Sequence, residues 1–144
     1  MSEEIIQRLN DYRVDELEAA MVENLELIDC PLSHVFTKGL YTREIFMPAG
    51  SLVTSKIHKT EHPFVVSKGK LLVCIDKGEW VEMEAPHMGV TKPGTRRILY
   101  ILEDTVWTTF HPNPDNITDL VEIEDLLIEE HDNILLHDIK KVLP

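Results

Sequence analysis

The sequence predicts a mainly β protein, built as an antiparallel sandwich or barrel. Between Phe36 and Phe110 it contains about seven short runs rich in β-branched and aromatic residues, at roughly ten-residue intervals. Gly, Pro and acidic turns separate these runs, and no helical pattern stands between them. Short strands with this regular spacing are typical of antiparallel sandwiches and barrels.

The elements follow in a simple order. From about Glu3 to Leu27, apolar residues recur at helical spacing, which predicts one or two short amphipathic helices. The central strands are predicted at LYTREIFM, SLVTSKIH, PFVVSK, KLLVCID, EWVEMEA, RRILYIL and TVWTTFH. The DKGEW step between two of these runs predicts a hairpin, and His87 falls in a predicted turn.

The last part of the chain predicts a helix with an acidic exposed face. We expect its N-cap at Thr118, followed by an apolar face of Leu120, Ile123, Leu126 and Leu127. The final stretch is apolar enough to dock on its own barrel or on a neighbouring subunit. The chain therefore divides into an N-terminal helical segment (1–34), a β-barrel (35–115) and an acidic C-terminal helix and tail (116–144).

Composition narrows the classes of function. The 144 residues, 43% of them hydrophobic, suit a single domain with one core. A formal net charge of -12 argues against nucleic-acid and anionic-membrane partners, which require clustered Lys and Arg. Cys30 and Cys74 have no CxxC spacing, which indicates reduced thiols. No signal peptide or apolar run of about 20 residues is visible, so we expect a soluble, cytoplasmic protein.

Two histidines, His58 and His62, lie four residues apart in the stretch GSLVTSKIHKTEHPFVVSKG, Gly50 to Gly69. This spacing also aligns side chains on a helix, but the flanking β-branched residues and Pro63 favour a strand. On a strand, both histidines point to the same side. The pattern therefore predicts a pocket with both imidazoles facing inward.

This stretch resembles the first motif of the cupins: glycine, five residues, His, one residue, His, three or four residues, Glu, six residues and glycine. The resemblance puts Lys56, His58 and His62 at the three ligand positions, so two of the three usual residue types are changed. In the second motif, KPGTRR keeps its glycine and puts Arg97 where the family has a histidine.

The resemblance covers about residues 36 to 112, and the wider pattern is similar to small cupin-like proteins of tailed phages and bacteria. It implies a double-stranded β-helix, or jelly-roll barrel, and a homodimer. A phage origin would place the protein in the host cytoplasm. The cupin scaffold serves enzymes and simple binding proteins alike, so the fold does not fix whether this chain is an enzyme.

Three interpretations of the pocket stay open. A divalent Zn, Fe, Ni or Cu ion is held by His58 and His62 with a third ligand, either His111 or, through a bulge, Glu61. Alternatively, Lys56, Arg97 and the two histidines form a cationic pocket for a small anionic molecule, with Arg43 as a further candidate. In the third interpretation, the histidines only satisfy one another.

The resulting functional hypothesis is a cupin-fold protein that binds a divalent metal, a small anion or both inside its barrel. The alternative is a non-catalytic interaction module, associated with a phage or its host, that uses the barrel as a scaffold. A pocket packed shut by Phe64, Val66 and Trp107 would favour this alternative.

Overall fold

The computed structural model describes residues 26–75, 79–128 and 140–142. These residues form nine strands and one helix. The strands are β1 (Glu26–Leu27), β2 (Leu32–Thr37), β3 (Gly39–Met47), β4 (Ser51–Thr54), β5 (His62–Ile75), β6 (Trp80–Glu84), β7 (His87–Thr91), β8 (Arg97–Asn113) and β9 (Lys140–Val142). The helix, α1, spans Leu120–Leu127. All strand pairs are antiparallel, which confirms the predicted mainly β architecture.

Two long strands, β5 and β8, organise the sheet. They pair with each other along most of their length, from Phe64 opposite Thr109 to Ile75 opposite Arg97. On its other edge, β8 pairs with β3 and β4, while β5 pairs with β6 and β7. The remaining strands extend the order to β1-β9-β4-β8-β3-β2. Every other strand is thus placed by its position along these two.

The core lies on the inner face of this sheet. Its buried residues come from β3, β4, β5 and β8, and so from several sides of the barrel: Met47, Val53, Phe64, Val66, Leu71, Val73, Leu99, Ile101 and Trp107, with Cys30 beside them. A smaller cluster joins Tyr41 of β3 to Ile123, Leu127 and Ile128 of the α1 region. Helix α1 therefore packs on the barrel next to β3.

Several predicted boundaries are wrong. The runs PFVVSK and KLLVCID form one strand, as do RRILYIL and TVWTTFH, because register shifts around Gly69 let the pairing of β5 and β8 continue through the expected turns. SLVTSKIH is a strand only over Ser51–Thr54. His87 begins β7 rather than lying in a turn, since it pairs with β5 opposite Val66.

The two ends of the chain also differ from the prediction. Glu26–Leu27 and Leu32–Thr37 are strands, so the sheet begins before residue 35. Residues 1–25, which hold most of the predicted N-terminal helices, lie outside the described residues. The α1 N-cap is Asp119, one residue after Thr118, because the Asp119 carboxylate accepts from the Val121 and Glu122 amides.

At the C-terminal end, Leu120 and Leu126 are exposed, so the buried face of α1 is narrower than predicted. Lys140–Val142 pairs with β4, so this part of the final stretch docks on its own barrel. No helix of the described residues is long and apolar enough to cross a membrane.

Candidate functional site

Three histidines meet at one end of the barrel. His62 is the first residue of β5, and His111 lies near the end of β8. His58 lies in the connection between β4 and β5, where its backbone pairs with Ile128 and its carbonyl accepts from the Gly94 amide at 3.1 Å. Each histidine is thus held by a different part of the fold.

The three rings are in mutual contact. Their centroids are 4.4 Å apart for His58 and His62, 4.5 Å for His62 and His111, and 5.3 Å for His58 and His111. One nitrogen of each ring lies within 4.8 Å of the others. Imidazole nitrogens bind zinc at about 2.0–2.1 Å, so two ligands of one ion are at most about 4.2 Å apart. The three nitrogens, within 4.8 Å of one another, thus approach the spacing that one shared ion requires.

Hydrogen bonds orient two of these rings. The Nδ1 of His62 lies 3.1 Å from the Thr60 carbonyl, and because a carbonyl only accepts, Nδ1 carries the proton and Nε2 has a free lone pair. The Nε2 of His111 lies 2.8 Å from the Thr109 hydroxyl. The other nitrogen of His111, Nδ1, is buried and has no hydrogen-bond partner.

An unpaired nitrogen of this kind is unusual in a protein interior. It suits a metal ligand, because ligating histidines are commonly held by a hydrogen bond from their second nitrogen.

Burial keeps the three imidazoles neutral. Burial, the larger cause, and the neighbouring His62 together lower the pKa of His58 and of His111 to about 3 in each case. Burial also lowers the pKa of His62, partly opposed by the hydrogen bond to Thr60. Neutral imidazole is the form that binds metals, so the cluster is in the ligating state at neutral pH.

Arg97 begins β8 and points into the same interior. Its side chain is 9% exposed, and one terminal nitrogen donates to the Thr91 hydroxyl at 3.0 Å. The guanidinium lies over the rings of Phe64, at 5.2 Å, and Trp107, at 5.8 Å. Thr91 is placed there by β7, which pairs it with His62. Arg97 therefore stands beside the histidine cluster with its charge inside the barrel.

A cavity of about 100 Å³ joins Arg97 to the histidines. Its polar lining is given by Arg43, Thr54, Ser55, Lys56, His58, His62, Thr91, Arg97 and Thr109, and its apolar lining by Ile45, Met47, Val53, Leu99 and Trp107. Phe64, Val66 and Trp107 are buried but leave this space open. The barrel has room for a small ligand next to the histidine cluster.

A second cavity, of about 150 Å³, lies on the α1 side of the cluster. Arg43, Lys56 and His58 line both cavities and so form the wall between them. The Lys56 ammonium is paired with the Glu124 carboxylate of α1. The backbone amide of Lys59 also donates to the Leu127 carbonyl at 2.9 Å, so α1 is fastened to the segment that carries His58.

The structure brings together all the residues singled out for the pocket except Glu61. Lys56, His58, His62, Arg97 and Arg43 line one cavity, and His111 joins the two other histidines. The sequence predicted His58 and His62 on one strand, but residues 55–61 are not a strand. His58 therefore approaches His62 from a loop. Glu61 is exposed and pairs with Lys92, so it is not the third member of the cluster.

Sequence reasoning missed several residues of the site. Thr109 has the same odd-numbered parity as Arg97, Trp107 and His111 on β8, so alternation along that strand was a usable signal. Thr91 and Glu124 reach the site through strand pairing and through α1, and no local pattern marks them. A hydrogen bond of 2.6 Å between His34 and the Tyr41 hydroxyl, in the second cavity, also went unpredicted.

Comparison with solved structures identifies the fold. An uncharacterised conserved protein with a double-stranded β-helix domain from Klebsiella pneumoniae aligns with a TM-score of 0.52 and 14% identity, over 83% of this chain and 96% of that one. An RmlC-like cupin family protein from Methanocaldococcus jannaschii gives 0.50 and 11%, over 60% and 84%. A polyketide cyclase from Streptomyces resistomycificus gives 0.51 and 13%, over 64% and 70%.

No family model and no curated protein matches the chain. The structural likeness confirms the predicted cupin-type double-stranded β-helix fold. At these identities it concerns the fold alone, and the activity has to be argued from the site.

Proposed function

We propose that this cupin-fold chain binds one divalent transition metal through His58, His62 and His111, and accepts a small anionic molecule in the adjoining cavity. The observation that carries the metal proposal is the cluster itself: three neutral imidazoles, each with a ring nitrogen within 4.8 Å of the others. The buried and unpartnered Nδ1 of His111 supports it. The donor set suits Zn, Fe, Ni or Cu.

Three histidines leave part of the coordination shell of such an ion open. When bound, the ion supplies a Lewis acid and lowers the pKa of a water ligand, which is the chemistry of metal-assisted hydrolysis and proton transfer. The protein contributes the orientation of the rings through Thr60 and Thr109, and apolar walls that exclude bulk water. These features suit both a binding protein and an enzyme.

Two arginines support the anion part of the proposal. Arg43 and Arg97 line the cavity, whereas the charge of Lys56 is compensated by Glu124. The three imidazoles are neutral, so the interior carries a net positive charge. The open cavity favours ligand binding over the alternative of an interaction module with a closed barrel. The homodimer, the cytoplasmic location and the phage relationship stay predictions.

Calorimetric titration of the chelator-treated protein with Zn²⁺ and Ni²⁺ tests the metal site. We expect one ion per chain, and we expect His62→Asn and His111→Asn each to weaken binding at least 100-fold while the protein stays folded by circular dichroism. His87→Asn is the matched control, because His87 is exposed and outside the cluster. Absence of metal binding to the wild type, or equal losses in His87→Asn and His111→Asn, would show the proposal to be wrong.

A further inference from the structure

Among the described residues, no carboxylate balances the charge of Arg97, because none forms an ion pair with it. Arg97 is only 9% exposed. An arginine does not lose its proton at physiological pH, so the charge cannot be avoided by neutralisation. A buried, unpaired cation costs folding free energy, and an anion that enters the cavity offsets that cost.

The guanidinium is held in a defined orientation. Phe64 and Trp107 stack with ring centroids 4.4 Å apart and an interplanar angle of 7°, and the guanidinium lies beside both rings. The Thr91 hydroxyl fixes one terminal nitrogen. A guanidinium fixed in this way offers its remaining N–H groups as a planar fork, which matches the two oxygens of a carboxylate. The site is therefore preorganised for a planar anion.

The cavity limits the size of that anion. A protein cavity of about 150 Å³ accommodates benzene, which has six non-hydrogen atoms. By the same measure, the 100 Å³ beside Arg97 corresponds to roughly four non-hydrogen atoms, close to the five of propionate. The apolar wall of the cavity is formed in part by Met47, Val53 and Leu99. An inorganic anion has no apolar group to contact these side chains.

We propose that Arg97 is the receptor for the carboxylate of a short aliphatic acid, such as propionate or a small 2-oxo acid, whose apolar end contacts Met47 and Leu99. This names the class of anion left open above, and so it rests on the proposed function. Arg97 stands where the second cupin motif has a histidine. In this proposal it binds the carboxylate ligand and not the metal.

The test uses nuclear magnetic resonance of the full chain. The chain has two tryptophans, so its two indole N–H signals are readily followed. Trp107 lines the cavity, whereas Trp80 lies in β6 and does not. Titration with propionate is expected to move the Trp107 signal with saturation and to leave the Trp80 signal in place. Octanoate, with ten non-hydrogen atoms, and inorganic phosphate are expected to bind at least tenfold more weakly.

Variants separate the role of Arg97 from a general effect of charge. Arg97→Met is expected to weaken propionate binding at least 30-fold. Arg97→Lys, which keeps the charge but loses the fork, should weaken it about tenfold. Lys92→Met is the control, because it removes one cation from an exposed side chain that pairs with Glu61 outside the cavity. Thermal denaturation of each variant verifies that it is folded.

Two results would overturn the inference: propionate binding unchanged in both Arg97 variants, or no saturable shift of Trp107 in the metal-loaded wild type. Zinc titration of the same samples distinguishes this failure from failure of the metal proposal. If the Arg97→Met variant still binds one zinc ion but no longer binds propionate, both proposals are supported. Propionate binding to a wild type that takes up no zinc supports the Arg97 receptor alone, and zinc uptake without propionate binding supports the metal site alone.

Discussion

The two halves of strand β5 differ in which positions they bury and in their roles. The first half, His62–Val66, pairs with β7 and buries His62, Phe64 and Val66. The second half, from Lys70 to Ile75, pairs with β6 and buries Leu71, Val73 and Cys74. Phe64, Val66, Leu71 and Val73 all lie in the apolar core, but only the first half adds groups of the site: His62 lines the cavity, and Phe64 lies beside the Arg97 guanidinium.

The difference comes from what each half faces. Across from the first half, β8 presents Trp107 and Thr109, and β7 presents Thr91. Across from the second half, β8 presents Ile101 and Leu99, and Arg97 lies opposite Ile75 at the end of the strand. The polar side chains that line the cavity therefore lie mainly beside the first half, and Arg97 reaches Thr91 and Phe64 there from the start of β8. We expect that binding and stability can be changed separately by mutations in the two halves.

The largest effect on stability should come from the second half. Leu71 is fully buried, so Leu71→Ala leaves a cavity and should destabilise the fold by about 2–5 kcal/mol. Urea denaturation measures the change. Leu126→Ala, at a residue that is 54% exposed, is the control and should change stability by less than about 0.5 kcal/mol. Zinc affinity of folded Leu71→Ala should equal that of the wild type, and a large loss would contradict the separation of the two halves.

The junction between the halves is the next place to test. Gly69 has φ +99°, and a Cβ there would lie 2.4 Å from both the Asp104 carbonyl oxygen and the Thr105 hydroxyl oxygen. Gly69→Ala should therefore destabilise the protein by about 2–4 kcal/mol, through backbone strain and overpacking together.

Gly50, the first glycine of the stretch that ends at Gly69, separates backbone strain from overpacking. It also has positive φ, at +87°, but nothing lies within 4 Å of an added Cβ. Gly50→Ala should cost only roughly 1–2 kcal/mol, because it introduces strain without a clash. Equal losses at the two glycines in urea denaturation would contradict the assigned role of close packing at Gly69.

Most residues of the site could be predicted from the sequence, because cupin-like spacing fixes which residues point into the barrel. That spacing located His58, His62 and Arg97, and the strand-end position of His111 made it a candidate third ligand. The strand pattern was also sufficient for the fold, since alternation and turn residues are local properties. The register shifts that merge two runs into β5 depend on contacts with β8, and no local pattern reports them.

The surroundings of the site were less predictable for the same reason. Glu124 meets Lys56 from 68 residues away, and that contact exists only because α1 packs on the barrel. Thr91 reaches Arg97 because β7 pairs with β5, which the sequence did not indicate for a segment predicted as a turn. Contacts that depend on tertiary packing need the structure, whereas contacts along one strand do not.

Thr109 offers the smallest and most specific test of the binding half. Its hydroxyl lies 2.8 Å from the Nε2 of His111, and Thr109→Val keeps the shape of the side chain while removing this hydrogen bond. If the bond orients His111 for a metal, zinc affinity should fall by about 10- to 100-fold, the usual effect of losing a partner of a metal ligand. Calorimetry of the chelator-treated protein measures the affinity.

Thr108 provides the matched control for this substitution. It is the neighbouring residue on β8, only half-buried, and it lines neither of the two cavities. Thr108→Val should leave zinc affinity unchanged, because neighbouring residues of a strand point to opposite faces of the sheet. If both valine variants bind zinc as the wild type does, the Thr109 hydroxyl does not position His111, and the ring is held by its contacts with His58, His62 and Tyr41 instead.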